Sequence, residues 1–158
     1  LKGEGYESVG FFTQPLTNST RIHRCQVFRE MYDKYFEGNA QVYFMEKKQR
    51  DANVMQDFMR RNLGKRHAIF TGNGVVTLRV VQTMHDFGIE FPKETGLCGF
   101  DDWEWMNLVG GGITTIGQPT YEVGKECVKR MMHLLHHPHL GTAKNIELPC
   151  QLKFRSST

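Results

Sequence analysis

The chain has 158 residues, 39% of them hydrophobic and 23% charged. This fits one globular domain or part of a larger one and excludes a disordered or fibrous chain. Its net charge is only +3, and the basic residues are scattered, densest at Lys47-Lys48-Gln49-Arg50 and Arg60-Arg61, which argues against direct nucleic-acid binding.

Short apolar runs alternate with segments of helical period, the pattern of βαβ units and a mostly parallel sheet. Val9-Gly10-Phe11-Phe12 is the first run, and Thr17-Asn18-Ser19-Thr20 offers caps for a helix expected to bury Ile22, Cys25, Phe28, Met31, Tyr32 and Tyr35. Gln41-Val42-Tyr43-Phe44 leads, through Asp51 as the expected N-cap, into a helix with Val54, Met55, Phe58, Met59 and Leu63 inside. Ala68-Ile69-Phe70 precedes Thr71-Gly72-Asn73-Gly74 and a helix carrying Val75, Leu78, Val81 and Met84, stopped by Gly88 with Pro92 beyond. Gly96-Leu97-Cys98-Gly99-Phe100 is the fourth run, closed by Asp101-Asp102. Gly110-Gly111-Gly112 then opens a β-branched run, Ile113-Thr114-Thr115-Ile116, expected to cross out of the sheet. A last helix over about Glu122–Leu135 is expected to bury Val123, Cys127, Val128, Met131 and Leu135, and Ile146–Leu152 reads as extended, broken at Pro149.

No run approaches the roughly 18 apolar residues of a membrane helix, and Leu1-Lys2-Gly3-Glu4 lacks signal-peptide character, so the expected location is cytoplasmic. Cys25, Cys98, Cys127 and Cys150 each sit in an apolar segment, where cysteine is expected to be a small buried hydrophobe with a reduced thiol.

In open parallel α/β sheets, ligands bind beyond the carboxyl ends of the strands. The polar residues there are Thr13, Asn18, Thr20, Arg21 and Arg24 after the first run, Glu46, Lys47 and Lys48 after the second, Thr71 and Asn73 after the third, and Asp101 and Asp102 after the fourth. Forked donors, amides and carboxylates suit a hydroxyl-rich ligand or a carboxylate. None forms a nucleophile relay, so binding is favoured over catalysis. Plainer roles stand beside these: Asn73 and the Asp101-Asp102 pair as helix or turn caps, Arg24 as a solvated helix residue.

Other motifs carry less. His133, His136, His137 and His139 place two imidazoles at i, i+4, but at a helix end broken by Pro138 and without a nearby carboxylate, so no metal site is expected. Asp101-Asp102 lacks the companions of a Mg²⁺ site, and Gly72-Asn73-Gly74 is too short to cradle phosphate, so no cofactor is expected.

An ordered series spans the chain: Gly5-Tyr6, Arg24 four residues before Phe28, Asn73, Gly88-Ile89, Pro92, Gly99-Phe100-Asp101-Asp102, Thr114-Thr115-Ile116 with Gln118-Pro119, Glu122-Val123-Gly124, then Ile146, Leu148-Pro149, Leu152, Arg155 and Ser157. The series resembles the sensor region of LacI/GalR-type transcriptional repressors, whose fold is periplasmic-binding-protein-like (type I). The stretch Asp101–Trp105 with Gly112–Ile116 looks most like the branch controlling use of 2-keto-3-deoxygluconate. The resemblance implies an α/β fold with an open, mostly parallel sheet. Residues 1–116 would form the C-terminal sensor subdomain, 117–149 a crossover with a helix belonging to the N-terminal subdomain, and 150–158 the tail.

It further implies that Arg24, Asn73 and Asp101 contact a sugar or sugar-acid effector, with Thr20 and Asn18 nearby and Phe44, Glu46 or Lys47 adding a contact. Gly112, Gln118 and Pro119 are the implied hinge. A homodimer through the helix matching Val75–Phe87 and the turn near Trp103 is implied too, as is operator DNA binding through a helix-turn-helix absent from these 158 residues. Val27 and Gly74 depart from the family's usual Gly and Asp, and Val128, Met131 and Met132 are expected to be exposed. A transport solute-binding protein and a Mg²⁺-dependent hydrolase using Asp101 and Asp102 are the competing readings.

Overall fold

The computed structural model describes residues 1–46, 48–137, 139 and 145–158. Six strands form one sheet: β1 (Ser8–Thr13), β2 (Gln41–Phe44), β3 (His67–Thr71), β4 (Gly96–Phe100), β5 (Thr114–Gly117) and β6 (Gln151–Lys153), in the order β2-β1-β3-β4-β5-β6. The first five run parallel, and β6 pairs antiparallel with β5 from Thr115↔Lys153 to Gly117↔Gln151. The helices are α1 (Ser19–Tyr35), α2 (Lys48–Arg61), α3 (Gly74–Phe87) and α4 (Thr120–His136). The α/β architecture expected from the alternating runs is present, with a single antiparallel edge. Among the described residues no helix is long and apolar enough to cross a membrane.

All six residues of β1 are buried, as a central parallel strand requires when both sheet faces are covered. The side chains alternate. Phe12 points toward α2 and α3, stacking on Tyr43 at 4.9 Å and meeting the edge of Phe58 at 5.3 Å. Phe58, Met55, Val76, Val80, Met84, Met106, Leu97 and Ile113 complete that core. Burying one such side chain fully stabilises by about 1.5–3 kcal/mol. Phe11 points to the opposite face, 5.0 Å from Phe28 of α1 and 5.6 Å from Phe70.

The helices depart from the sequence reading in phase and burial. In α1 only Cys25 and Tyr32 are buried. Ile22, Met31 and Tyr35 are exposed, because α1 lies over β1 and β3 and leaves the same face of β4–β6 open. Met31 and Tyr35 line a groove of about 450 Å³ there, with Cys98, Ile116 and Phe154. α2 starts at Lys48, so Asp51 lies in its first turn and is not its N-cap; its carboxylate accepts from the Glu46 backbone N–H at 3.0 Å and pairs with Arg79 at 2.5 Å. Leu63 lies past the end of α2, 79% exposed. α3 buries Val76, Val80 and Met84 and turns Val75 and Leu78 outward.

Residues 113–116 do not leave the sheet: β5 pairs with β4 from Cys98↔Thr114 to Phe100↔Ile116, and the chain departs only after Gly117. α4 buries none of its residues, contrary to the packed helix expected from its period, and Val128, Met131 and Met132 are exposed as the resemblance implied. Cys25 and Cys98 are buried, whereas Cys127 and Cys150 are exposed; all four are free.

The tail completes the sheet. The Ser157 hydroxyl donates to the Leu97 carbonyl and accepts from the Thr114 N–H at 2.8 Å, while the Leu97 N–H donates to the Ser157 carbonyl at 2.8 Å. Asp102, just past β4, accepts from Thr115 at 2.7 Å, Lys153 at 2.6 Å and Arg155 at 2.8 Å. Burial opposes its charge, but these hydrogen bonds outweigh it and hold its carboxyl well below the usual carboxylate range.

Candidate functional site

α1 and α2/α3 cover opposite faces of the sheet, so the winding reverses between β1 and β3, and the crevice beyond the carboxyl ends of those strands is where this topology places ligands. Arg24, in the second turn of α1, lies flat over the Phe100 ring at the end of β4, its guanidinium carbon 3.7 Å from the ring centroid. Its Nη1 donates to the Gly72 carbonyl at 2.7 Å. Burial lowers the Arg24 pKa, and the neighbouring Asp101 works in the other direction. The stacked guanidinium leaves Nε and Nη2 without a hydrogen bond to a described residue.

Asn73 caps α3: its Oδ1 accepts from the Val76 N–H at 3.0 Å. Its Nδ2 donates to Gln14 Oε1 at 3.1 Å, so cap and strand-end roles coexist in one amide. Asp101 takes φ 76°, the left-handed region that costs an ordinary side chain about 1 kcal/mol or more, and is the only non-glycine residue there among those described. That twist turns its carboxylate to the N-terminus of α3, where Oδ2 accepts from the Gly74 N–H at 3.0 Å, a position the helix dipole favours. Its Oδ1 accepts from Gln118 Nε2 at 2.6 Å. A Cβ at Gly74 would meet the Trp103 ring at 2.6 Å, and the Asp101 carboxylate accepts from the first N–H of α3 at this point. Val27 is exposed and packs into no core.

The structure therefore brings Arg24, Asn73 and Asp101 around one crevice. Thr20 sits one turn before Arg24 and lines the same open recess of about 660 Å³ with Phe100, while Asp101 and Gln118 line a second recess of about 680 Å³ toward the crossover. Asn18 caps α1, accepting from the Arg21 N–H at 2.9 Å. Phe44 ends β2 at the sheet edge, beside Thr13, three strands and so roughly 14 Å from Phe100. Lys47 lies outside the described residues. Of the implied hinge, Gln118 and Pro119 follow the carboxyl end of β5, but Gly112 precedes its other end, packed against Arg155.

Gln14, a neutral amide just beyond β1, is the contributor that no motif marks. Phe100 belongs to the Gly99-Phe100-Asp101-Asp102 run without being an implied contact, and Gln118 is an implied hinge residue whose amide binds Asp101. The other clusters lead elsewhere. His133 and His137 lie with ring centroids 5.0 Å apart and planes tilted by 50°, Asp102 is committed to Arg155, Lys153 and Thr115, and among the described residues no three His, Cys, Asp or Glu side chains gather to hold a metal.

Residues 1–158 match the family model described as periplasmic binding protein-like domain. The chain is 30% identical over 158 residues to the HTH-type transcriptional regulator KdgR of Bacillus subtilis (strain 168), covering 98% of this chain and 46% of that protein. It is 32% identical over 159 residues to the HTH-type transcriptional regulator PtxS of Pseudomonas aeruginosa, covering 100% and 46%. It thus spans just under half the length of each regulator. Among solved structures, a LacI family transcriptional regulator from Enterococcus faecalis V583 with bound ribose superposes with a TM-score of 0.84 at 20% identity, covering 99% of this chain and 56% of that one. The fold, the order of its strands and the family match over residues 1–158 lead to one conclusion: the chain belongs to the periplasmic binding protein-like domain family, and the relatives it resembles are transcriptional regulators.

Proposed function

We propose that this chain is the effector-binding region of a LacI-type transcriptional regulator that senses a small sugar or sugar acid. The observation that carries the reading is the convergence of Arg24, Asn73 and Asp101 at the strand ends, with a guanidinium preset on Phe100 and a carboxylate held by backbone strain. Planar forked donors, an amide and a carboxylate suit a compact polyhydroxylated ligand, and Arg24 suits a carboxylate on it. The regulators to which the chain is similar and the ribose in the Enterococcus faecalis protein support the same class. 2-Keto-3-deoxygluconate is the proposed effector within it.

Residues 1–116 and the returning tail 150–158 act as one subdomain, and residues 117–149 reach toward a second. A ligand gripped by both shifts their angle only by its differential affinity for the two arrangements, and that shift is what operator DNA reads. Exposed Val75, Leu78 and Trp103 form the proposed homodimer face, and the whole regulator works in the cytoplasm. Calorimetric titration against neutral sugars and sugar acids tests the assignment. Arg24→Ala is expected to abolish binding with the fold intact; an unchanged isotherm in that variant overturns the reading.

A further inference from the structure

Gln14 follows β1 and Asn73 follows β3, so the hydrogen bond between them spans the crevice where the winding reverses. The orientation of both amides is fixed by chemistry. The Val76 N–H can only donate, so Asn73 must turn its oxygen to α3 and its Nδ2 to Gln14. Gln14 must then present Oε1, which also accepts from Arg21 Nη2 at 2.8 Å, a second group that can only donate. Arg21 is itself held, donating from Nη1 to the Pro15 carbonyl at 3.1 Å and to the Thr17 hydroxyl at 3.0 Å.

With its oxygen doubly engaged, Gln14 is left with both N–H groups of Nε2 unspent on any described residue. One N–H of Asn73 and the Nε and Nη2 groups of Arg24 are likewise unspent. Each Asp101 oxygen accepts one hydrogen bond, from Gly74 and from Gln118, and keeps a lone pair for a ligand hydroxyl. The unspent N–H groups of Gln14, Asn73 and Arg24 lie beside the same crevice, a donor cluster that matches a group that only accepts.

We infer that Gln14 is a specificity-determining residue: it aligns Asn73 and offers its own amide N–H groups to the carboxylate or keto oxygens of an acidic sugar. The inference rests on the effector-binding reading above. Gln14→Glu is the discriminating variant, because a carboxylate still accepts from Arg21 and Asn73 while turning the free edge from donor to charged acceptor. Gln14→Leu removes the alignment altogether.

The test is calorimetric titration of the protein with 2-keto-3-deoxygluconate and with ribose as the uncharged probe. Gln14→Glu is expected to weaken the sugar acid at least about tenfold, the loss of one hydrogen bond to a charged group, and to weaken the sugar acid more than it weakens any ribose binding. In Gln14→Leu, NMR is expected to show faster hydrogen exchange of the Asn73 side-chain amide than in the parent. Sugar-acid binding unchanged in Gln14→Glu, an Asn73 amide indifferent to Gln14→Leu, or a parent that binds ribose alone each overturn the inference. Binding lost in Arg24→Ala yet untouched in Gln14→Glu overturns it while sparing the functional reading. A parent that binds neither probe, or an Arg24→Ala variant that binds as the parent does, overturns both.

Discussion

Asp102→Asn isolates the tie between β4 and the tail. The carboxylate accepts from Arg155, Lys153 and Thr115 at 2.6–2.8 Å, and its side chain is 12% exposed. An asparagine keeps the shape and one acceptor oxygen but turns an NH₂ toward one of the cations. Lys153 is half exposed and swings into solvent, at a cost of about 0–1 kcal/mol. Arg155 is mostly buried, with only the Ile113 carbonyl and Thr115 hydroxyl remaining, so its lost charge-assisted bond costs about 1.5–3 kcal/mol. The expected destabilisation at pH 7 is therefore about 2–3 kcal/mol, read from urea unfolding midpoints at constant m. The sign with pH follows from the depressed carboxyl. Its stabilisation is complete above the unfolded pKa of about 3.9 and is lost as pH falls toward the lower folded value. The gap between parent and variant is thus expected to shrink on going from pH 7 to pH 3. A gap equally large at both would refute the electrostatic argument.

Three further outcomes are expected. Gly10→Ala puts a Cβ 2.6 Å from the fully buried Phe58 ring and is expected to lower stability by about 1–3 kcal/mol, measured by thermal or urea unfolding. Tyr6→Phe removes a buried hydroxyl with no partner among the described residues, so stability is expected to stay level or to rise by up to about 1 kcal/mol; a marked loss would reveal a missed partner. Native protein is expected to release colour from a thiol reagent at Cys127 and Cys150 quickly, and at Cys25 and Cys98 only on unfolding, with burial pushing the Cys98 thiol up to about 12.

The parts of the fold legible in the sequence are those written in local chemistry. Asn73 before an apolar helix and Gly88 after it mark α3 at both ends, and the glycine takes φ 67° as its role demands. The strand cores Val9–Phe12 and Gly96–Phe100 stand out because buried parallel strands are continuous apolar runs. What periodicity cannot supply is which side of a helix meets a sheet. α3 carries valines at 75, 76, 80 and 81, so two adjacent phases look equally apolar, and Val76 with Val80 is the pair that packs. α1 and α4 show apolar stripes too, but a stripe is buried only where something lies against it. At the candidate site, Arg24, Asn73 and Asp101 are legible as polar groups at strand ends, and Gln118 as a hinge residue beside Pro119. Gln14 is not, because a neutral amide acquires meaning only from the groups it faces.

The bonds from Ser157 back to Leu97 and Thr114 give assembly a timetable. Leu97 and Ser157 are 60 residues apart, and at ~5–20 residues per second a ribosome needs about 3–12 s to traverse that interval. During it β1–β4 can collapse on their helices, while the flank later closed by the tail stays unzipped. An unpaired strand flank is a template for another chain's backbone, so nascent copies crowded on one messenger are most prone to cross-pairing in that window. Slower translation through codons 98–157 should then depress soluble yield more than the same slowing placed upstream.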